Sequence, residues 1–191
     1  MAQRYESLTD EHVGFIERQH IFFVGTAGNE SLVNVSPKGM DSFRVLNNSK
    51  VAWLNLTGSG NETAAHVREN RRMTIMFCSF DKQPLILRLY GKAIAVHPRD
   101  DAWRSLIELF PAHTGARQVF EVDIELVQTS CGYAVPYYDL VGERPTLSKW
   151  ADNKGHEGIR EYWQGNTKSL DGMDTGGVFR ILCHSNSSLI I

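Results

Sequence analysis

The feature that most constrains the fold of this chain is the segment QVFEVDIELVQ, at residues 118–128, in which apolar and acidic residues alternate from Phe120 to Leu126. Its apolar and acidic positions fall on opposite faces of an extended chain, since successive side chains in a strand point to opposite sides. The apolar positions are Phe120, Val122, Ile124 and Leu126, and the acidic positions are Glu121, Asp123 and Glu125. The segment therefore predicts a β-strand with one buried face.

The remaining pattern predicts about six strands in total, close together with tight turns at first and later interrupted by two helices. The strands are predicted at residues 20–26, 31–47 (broken by PKGMDS), 50–56, 73–80, 85–96 and 118–128. Gly91 predicts a bulge or bend in its strand. Helices are predicted at residues 7–19, 59–70, 98–110 and 146–165, the first capped by Ser7 or Thr9. Regular strand–helix alternation is missing from the first half, so we expect a mainly β fold with flanking helices, an antiparallel barrel.

The length of 191 residues fits a single domain with a sizeable core. We expect a barrel at about residues 20–130 and a helical or irregular C-terminal extension at about 131–191. The net charge of −2 argues against a dominant role in binding nucleic acid or a membrane surface. A polar N-terminal segment without a signal-peptide core indicates a cytoplasmic protein.

The three cysteines and seven histidines do not form a recognisable metal site. An odd cysteine count without CxxC spacing fits neither a disulfide framework nor a zinc site, and no HxxxH or HxH pair occurs. We expect no structural metal. Cys131, beside Gly132, is a candidate nucleophile for a cysteine-dependent hydrolase, although an inert thiol is the commoner outcome.

The segment GSGNETAAHVREN, residues 58–70, is a candidate anion site. A helix N-terminus offers free N–H groups and a partial positive charge, and glycines allow a phosphate to approach the backbone. The motif is not a Walker A loop, because no lysine follows its glycines. The alternative is a capped loop in which Ser59 and Glu62 form a capping box, or Asn61 caps the helix.

A second candidate is VNVSPKG, in which Lys38 follows Pro37 at the end of a predicted strand. Lys38 is either a solvent-exposed loop lysine or a cation placed over the negative edge of a ligand. The two segments belong to strands that we expect to be neighbours, so they could line one pocket. Other polar residues favour ordinary roles: His66 is expected to be a surface or packing histidine, and the arginines after it a solvated helix end.

Together these motifs resemble the pyridoxamine 5′-phosphate oxidase-like superfamily, whose members are split β-barrels that bind FMN. The resemblance covers about residues 10–130 and rests on VNVSPKGMD, VAWLNLTGSGNETAAHVRENRRMTIMF and RLYGKA. The chain is closer still to an FMN-binding branch in which SPKG, GSGNET and SCGYAVP occur together. Members of that branch are related to the oxidase rather than being the oxidase itself.

The resemblance implies a homodimer with FMN held at the subunit interface. It places Lys38 near the flavin, Ser36 and Pro37 on the strand edge that faces the ring, and a phosphate-binding turn at the start of the helix. The implied cofactor-binding residues are Ser36, Pro37, Lys38, Asn55, Leu56, Thr57, Asn61, Glu62 and Thr63. In this set Asn55, Leu56 and Thr57 border the ring and ribityl chain. Asn61, Glu62 and Thr63 form the phosphate-binding turn.

The chain departs from the family pattern in two places. The phosphate turn carries no lysine, so backbone N–H groups, Asn61 and Thr63, with or without an arginine from elsewhere in the chain, would have to bind the phosphate. An EYWQ segment at residues 161–164 resembles the EFWQ of the oxidases, but Ser169 and Asp171 stand where they carry a substrate-binding Arg and His. We therefore expect an FMN-dependent oxidoreductase that does not oxidise pyridoxamine 5′-phosphate. The alternatives are a non-catalytic flavin carrier or sensor and a barrel that binds haem or a deazaflavin.

Overall fold

The computed structural model describes residues 2–177 and contains one antiparallel sheet of eight strands with four helices around it. The strands are β1 (Gln3–Tyr5), β2 (Phe22–Thr26), β3 (Asn34–Lys38), β4 (Phe43–Asn47), β5 (Lys50–Leu56), β6 (Arg72–Cys78), β7 (Ile86–Val96) and β8 (Ala116–Ser130). The helices are α1 (Asp10–Glu17), α2 (Glu62–Asn70), α3 (Trp103–Ile107) and α4 (Thr146–Gly165). Residues 178–191 of the predicted extension, including Cys183, lie outside the described residues.

The strands follow the order β3-β2-β6-β7-β8-β5-β4, so β3 and β4 form the two edges of this path. The long strand β8 pairs with β7 along its length, with β5 through its first half and with β1 near its end. One edge of β8 pairs with β7, and the other edge pairs first with β5 and then with β1, so β8 connects the two parts of the curved sheet.

Most of the predicted elements are present, and the differences are local. Thr9 caps α1 through a capping box in which the His12 side chain takes the usual place of Glu or Gln. Strand β1 was not predicted, because its sequence is short and polar and only its pairing with β8 orders it. The helix expected at residues 98–110 is reduced to the single turn and a half of α3, at residues 103–107.

The predicted bulge at Gly91 is confirmed by a shift in the β7–β8 register between Tyr90 and Gly91. A Cβ atom at Gly91 would lie 2.1 Å from the backbone oxygen of Asp123, so only glycine fits there. The extra residue on β8 also shifts the pattern of buried positions. Ile124 and Val127 are both buried although they are three positions apart, whereas a regular strand buries every second residue. The alternation read from the sequence therefore stops at the bulge.

The main core lies inside the curved sheet and includes Val24, Trp53, Ile75, Leu89 and Phe120. Helix α2 packs into it against β2, β6 and β7, burying Ala64, Ala65, His66 and Val67. A second apolar cluster lies on the other side of β5 and β8, beneath α3.

The C-terminal extension folds back on the sheet through α4. Trp163 of this helix donates a hydrogen bond from Nε1 to Thr57 Oγ1 (2.9 Å), which holds α4 against the end of β5. Gly155 interrupts the helix with φ 65° and ψ 174°, a conformation that glycine adopts readily. None of the described helices has the length and apolar character needed to cross a membrane.

Candidate functional site

A row of polar side chains lies on the inner face of the edge strand β3. Asn34, Ser36 and Lys38 pair with Thr26, Val24 and Phe22 of β2, all of which are buried. Directly paired residues share a face of the sheet, so the three polar side chains also point inward. Four residues of strand span about 13 Å, so the row could contact a ligand of that length.

Lys38, at one end of the row, is a half-buried cation. Its ammonium lies 5.2 Å from the centroid of the Trp53 ring, a cation–π contact, and burial lowers the pKa of Lys38. Within residues 2–177 no carboxylate lies within salt-bridge distance of its Nζ. A cation taken out of water without an anion is costly, so this end of the row favours an electron-rich ligand.

Ser36, in the middle of the row, has a buried hydroxyl with no hydrogen-bond partner among the described residues. The indole N–H of the fully buried Trp53 also has none there. Buried polar groups in native proteins are nearly always paired, and an unpaired one costs about 1–3 kcal/mol. The row therefore has an unused hydrogen-bonding group next to an unpaired cation.

The other end of the row meets the start of α2. Asn34 Nδ2 donates a long hydrogen bond of 3.4 Å to Thr63 Oγ1, which leaves the Thr63 hydroxyl proton free to donate. The N-cap residue is Asn61, not Ser59, and its side chain makes no capping hydrogen bond. The predicted Ser59–Glu62 capping box is therefore wrong.

The Asn61 side chain instead belongs to a buried amide cluster. Its Oδ1 accepts hydrogen bonds from Asn55 Nδ2 (3.1 Å) and from Gln118 Nε2 (3.0 Å). Asn55 and Gln118 face each other in the β5–β8 register. Because the three amides hydrogen-bond to one another, they hold the backbone in place where it enters α2. The Asn61 side chain is then not available to cap the first turn of the helix.

The remaining predicted site residues lie around the polar row and the amide cluster. Pro37 is on the opposite face of β3 from Ser36, so the two cannot face one ligand from the same side. Thr57 donates from Oγ1 to the Gly115 carbonyl (2.7 Å), and Leu56 lines a cavity of about 260 Å³ beside α4. Glu62 accepts a hydrogen bond from the Leu170 N–H (2.9 Å), so its carboxylate is held by the C-terminal extension.

His66 was not predicted to be part of any site, and the structure gives it an internal role. It is buried, with Nδ1 3.0 Å from Thr26 Oγ1 and Nε2 3.0 Å from Ser31 Oγ. Ligand atoms of Glu62, His66 and Asp171 lie within 4.8 Å of one another. Both ring nitrogens of His66 already have hydroxyl partners, and the two carboxylates accept from the N–H groups of Leu170 and Leu32. The proximity of the three groups therefore accompanies the packing of the extension against α2 and the loop before β3.

Two further titratable groups are buried, Arg117 and His97, and no sequence motif predicted either. Arg117 is buried, donates to the Asn166 carbonyl (3.1 Å) and faces the Trp163 ring at 6.0 Å; burial lowers its pKa to about 10. Burial, reinforced by Arg99, lowers the pKa of His97 to about 4, so His97 is neutral near neutral pH. Cys131 is exposed just after β8, and no described histidine hydrogen-bonds to it.

Comparison with known proteins places the chain in a family. A family profile described as pyridoxamine 5′-phosphate oxidase matches residues 8–131. The chain is also 41% identical, over 190 residues, to the pyridoxamine 5′-phosphate oxidase family protein ustO of Aspergillus flavus, covering 88% of this chain and 76% of that protein. The chain belongs to the pyridoxamine 5′-phosphate oxidase family.

Two solved structures have the same fold. A Lactobacillus delbrueckii protein provisionally named a pyridoxamine 5′-phosphate oxidase superposes with a TM-score of 0.53 at 20% identity, covering 64% of this chain and 94% of that one. A variant of HupZ from Group A Streptococcus superposes with a TM-score of 0.51 at 18% identity, covering 64% and 98%. At these identities the likeness shows the fold alone.

The C-terminal positions that depart from the oxidase pattern lie in the extension. The EYWQ segment forms part of α4. Ser169 is buried and accepts a hydrogen bond at Oγ from the Met173 N–H (3.1 Å). Asp171 is exposed and accepts one from the Leu32 N–H (3.3 Å). These two residues therefore stabilise the extension's own fold and its contact with the loop before β3.

Proposed function

We propose that the protein binds FMN along the inner face of β3 and uses it as an oxidoreductase acting on a small molecule. The observation that carries the proposal is the polar row. Among residues 2–177, the Ser36 hydroxyl in its middle is buried and unpaired, and the half-buried Lys38 at one end has no acidic partner. The other end meets a helix start without a side-chain cap. A ligand with a polar ring at one end and a phosphate at the other would satisfy all three.

At the ring end, Lys38 would stabilise negative charge, and Ser36 would supply a hydrogen bond. An ammonium in a partly buried site acts through a lower effective dielectric than in water, so its effect on a nearby anion is larger. When bound, FMN supplies the electron-transfer chemistry, and the chain contributes binding, orientation and electrostatics.

At the phosphate end, the first turn of α2 would hold the dianion through backbone N–H groups and the helix dipole. Thr63 adds a hydroxyl donor at the same place. The Glu62 carboxylate accepts a hydrogen bond from the Leu170 N–H, which directs it toward the extension. In this arrangement the backbone N–H groups and Thr63 would take the place of a lysine.

We further propose that the protein is a homodimer that completes the cofactor site. The outer face of the edge strand β3 exposes Val35, which is 64% accessible, and the residues just before the strand expose Leu32 and Val33, at 63% and 74%. Exposed apolar side chains on an edge strand are typical of an interface. Light scattering should show a dimer, and V35K should dissociate it, whereas the exposed but distant L109K should not; a monomer that still binds FMN would refute this assembly.

The visible absorption spectrum of the purified protein tests the cofactor. We expect flavin bands, with about one FMN per chain after reconstitution. A Soret band would indicate haem, and a colourless protein that does not bind added FMN would refute the proposal. Reduction of the bound flavin by NAD(P)H or candidate amines, followed by reoxidation, would distinguish an enzyme from a carrier or sensor.

A further inference from the structure

A cavity of about 1100 Å³ reaches Lys38 at the end of β3. It lies mainly on the face of β2 and β3 that carries Phe23 and Pro37, and its other walls are the α1–β2 connection, the residues after β6 and the segment 138–150 of the C-terminal extension. Lys38 is therefore the point at which the cavity meets the polar row. Pockets for drug-sized ligands are typically about 300–1000 Å³, so this space can hold a molecule of that size.

The wall that the extension contributes is aromatic, and its rings are held in place. Trp150 packs edge-on against Tyr162 (5.2 Å, 81°), and the Lys154 ammonium lies over both rings at 5.5 and 5.7 Å. Tyr138 packs against Phe80 (5.5 Å between ring centroids) and donates its N–H to the Phe80 carbonyl (3.2 Å). These contacts preorganise flat apolar surfaces, which lowers the cost of binding a planar molecule.

The charged groups around the cavity do not form an anion site. Among the described residues, its lining includes three cationic side chains, three carboxylates and one histidine: Arg18, Lys38, Arg144, Asp81, Asp139, Glu143 and His20. Arg18 donates to the Gly14 carbonyl, and Asp81 accepts from Ser79 and the Gln83 N–H, so both are committed to their own segments. Cations and carboxylates are balanced, whereas binding a phosphate ester requires clustered donors such as arginines or a helix N-terminus.

We propose that this cavity binds an uncharged planar aromatic molecule as the substrate of the flavin site, an assignment that rests on the proposed flavin next to Lys38. The aromatic walls provide stacking surfaces and apolar burial for such a ring. Their balanced charge provides no compensation for desolvating a dianion. The substrate class therefore differs from phosphorylated pyridoxine compounds in charge, not in planarity.

A matched pair of probes tests the assignment: 2-naphthol, and 2-naphthyl phosphate, which has the same rings and a dianionic group. Calorimetric titration of the FMN-loaded protein should show binding of 2-naphthol and at least about tenfold weaker binding of its phosphate. W150A should weaken 2-naphthol binding by about threefold to tenfold, the range expected for one lost aromatic contact. The exposed aromatic Tyr133 is not a lining residue, so Y133A should leave the affinity unchanged.

A second variant guards against damage to α4 by W150A. Leu140 lines the cavity, and its neighbour Val141 is fully exposed and does not. L140D should weaken 2-naphthol binding several-fold, and V141D should not. Equal losses in both aspartate variants, no loss in either, or tighter binding of the phosphate would overturn the assignment.

Flavin content measured on the same samples separates the two proposals. If FMN binds and 2-naphthol does not, the assignment of the cavity fails and the flavin site stands. If FMN does not bind, the proposed function fails, and titration of the flavin-free protein still tests the cavity with the same pairs of variants.

Discussion

Lys38→Met is the substitution that separates a functional lysine from an incidental one. Methionine keeps most of the side-chain stem and its contact with the Trp53 ring, and it removes the charge. If Lys38 lies beside the flavin, the reduced and negatively charged ring should lose more stabilisation than the oxidised ring. The two-electron midpoint potential of the bound flavin should therefore fall.

The size of the fall follows from Coulomb's law. Two unit charges about 4 Å apart interact by about 4 kcal/mol at an effective dielectric constant of about 20. Rearrangement of water in the variant offsets part of this energy, so we expect a loss of about 1.4–4 kcal/mol. For a two-electron couple this corresponds to a fall of roughly 30–90 mV.

In the flavin-free protein, the same substitution should not destabilise the fold. Lys38 has no acidic partner among residues 2–177, so K38M removes a desolvated charge and should leave stability unchanged or raise it by about 1 kcal/mol. For a domain of this size that is about 2–4 °C in Tm. Burial lowers the folded-state pKa of Lys38, so the unfolded chain holds more protons at alkaline pH. Wild-type stability should therefore rise with pH in that window, and K38M should lose this rise.

The assay is a redox titration of the bound flavin, monitored by absorbance, together with thermal melts of the flavin-free protein. Lys50 provides the matched control, since it lies on β5 with Glu121 (2.8 Å) and Asp123 (3.2 Å) as partners. K50M should leave the potential unchanged. An unchanged potential in K38M, or an equal change in both variants, would show that Lys38 does not act on the flavin.

Three further predictions address the rest of the site and the fold. T63A should weaken FMN binding tenfold to a hundredfold, the loss expected for a charge-assisted hydrogen bond of about 1.5–3 kcal/mol, and should leave riboflavin binding unchanged in fluorescence titrations; equal losses for both ligands would place the phosphate elsewhere. Pyridoxamine 5′-phosphate should not be turned over, because Ser169 and Asp171 replace the Arg and His of the oxidases; a robust rate of pyridoxal 5′-phosphate formation would contradict this. Because burial keeps His97 neutral down to a pKa of about 4, stability in urea should fall as the pH drops from about 6.5 to about 4, and H97Q should flatten that dependence; a wild-type protein with no such fall would refute it.

The strands and the barrel could be predicted from the sequence because their signal is local. Short apolar runs, period-two alternation at residues 31–36 and 118–128, and tight turns mark β2 to β8 within a few residues of their observed bounds, and Gly91 marks the bulge. Elements that depend on a distant partner were not predictable in this way. Strand β1 exists through β8 alone, and the cap of α2 depends on how Asn61 is held, which the spacing of Ser59 and Glu62 cannot show.

The cluster of Asn55, Asn61 and Gln118 shows what information beyond the sequence is needed to predict the site. Gln118 begins the clearest strand in the sequence and lies in phase with Phe120 and Val122, so its position alone predicts a buried amide. A buried amide requires partners, but the sequence does not say which ones. The β5–β8 register supplies the first, because it sets Asn55 opposite Gln118, and the turn into α2 brings Asn61 to both. With its side chain engaged there, Asn61 cannot cap α2, so the same register that completes the core also leaves the helix start free for an anion.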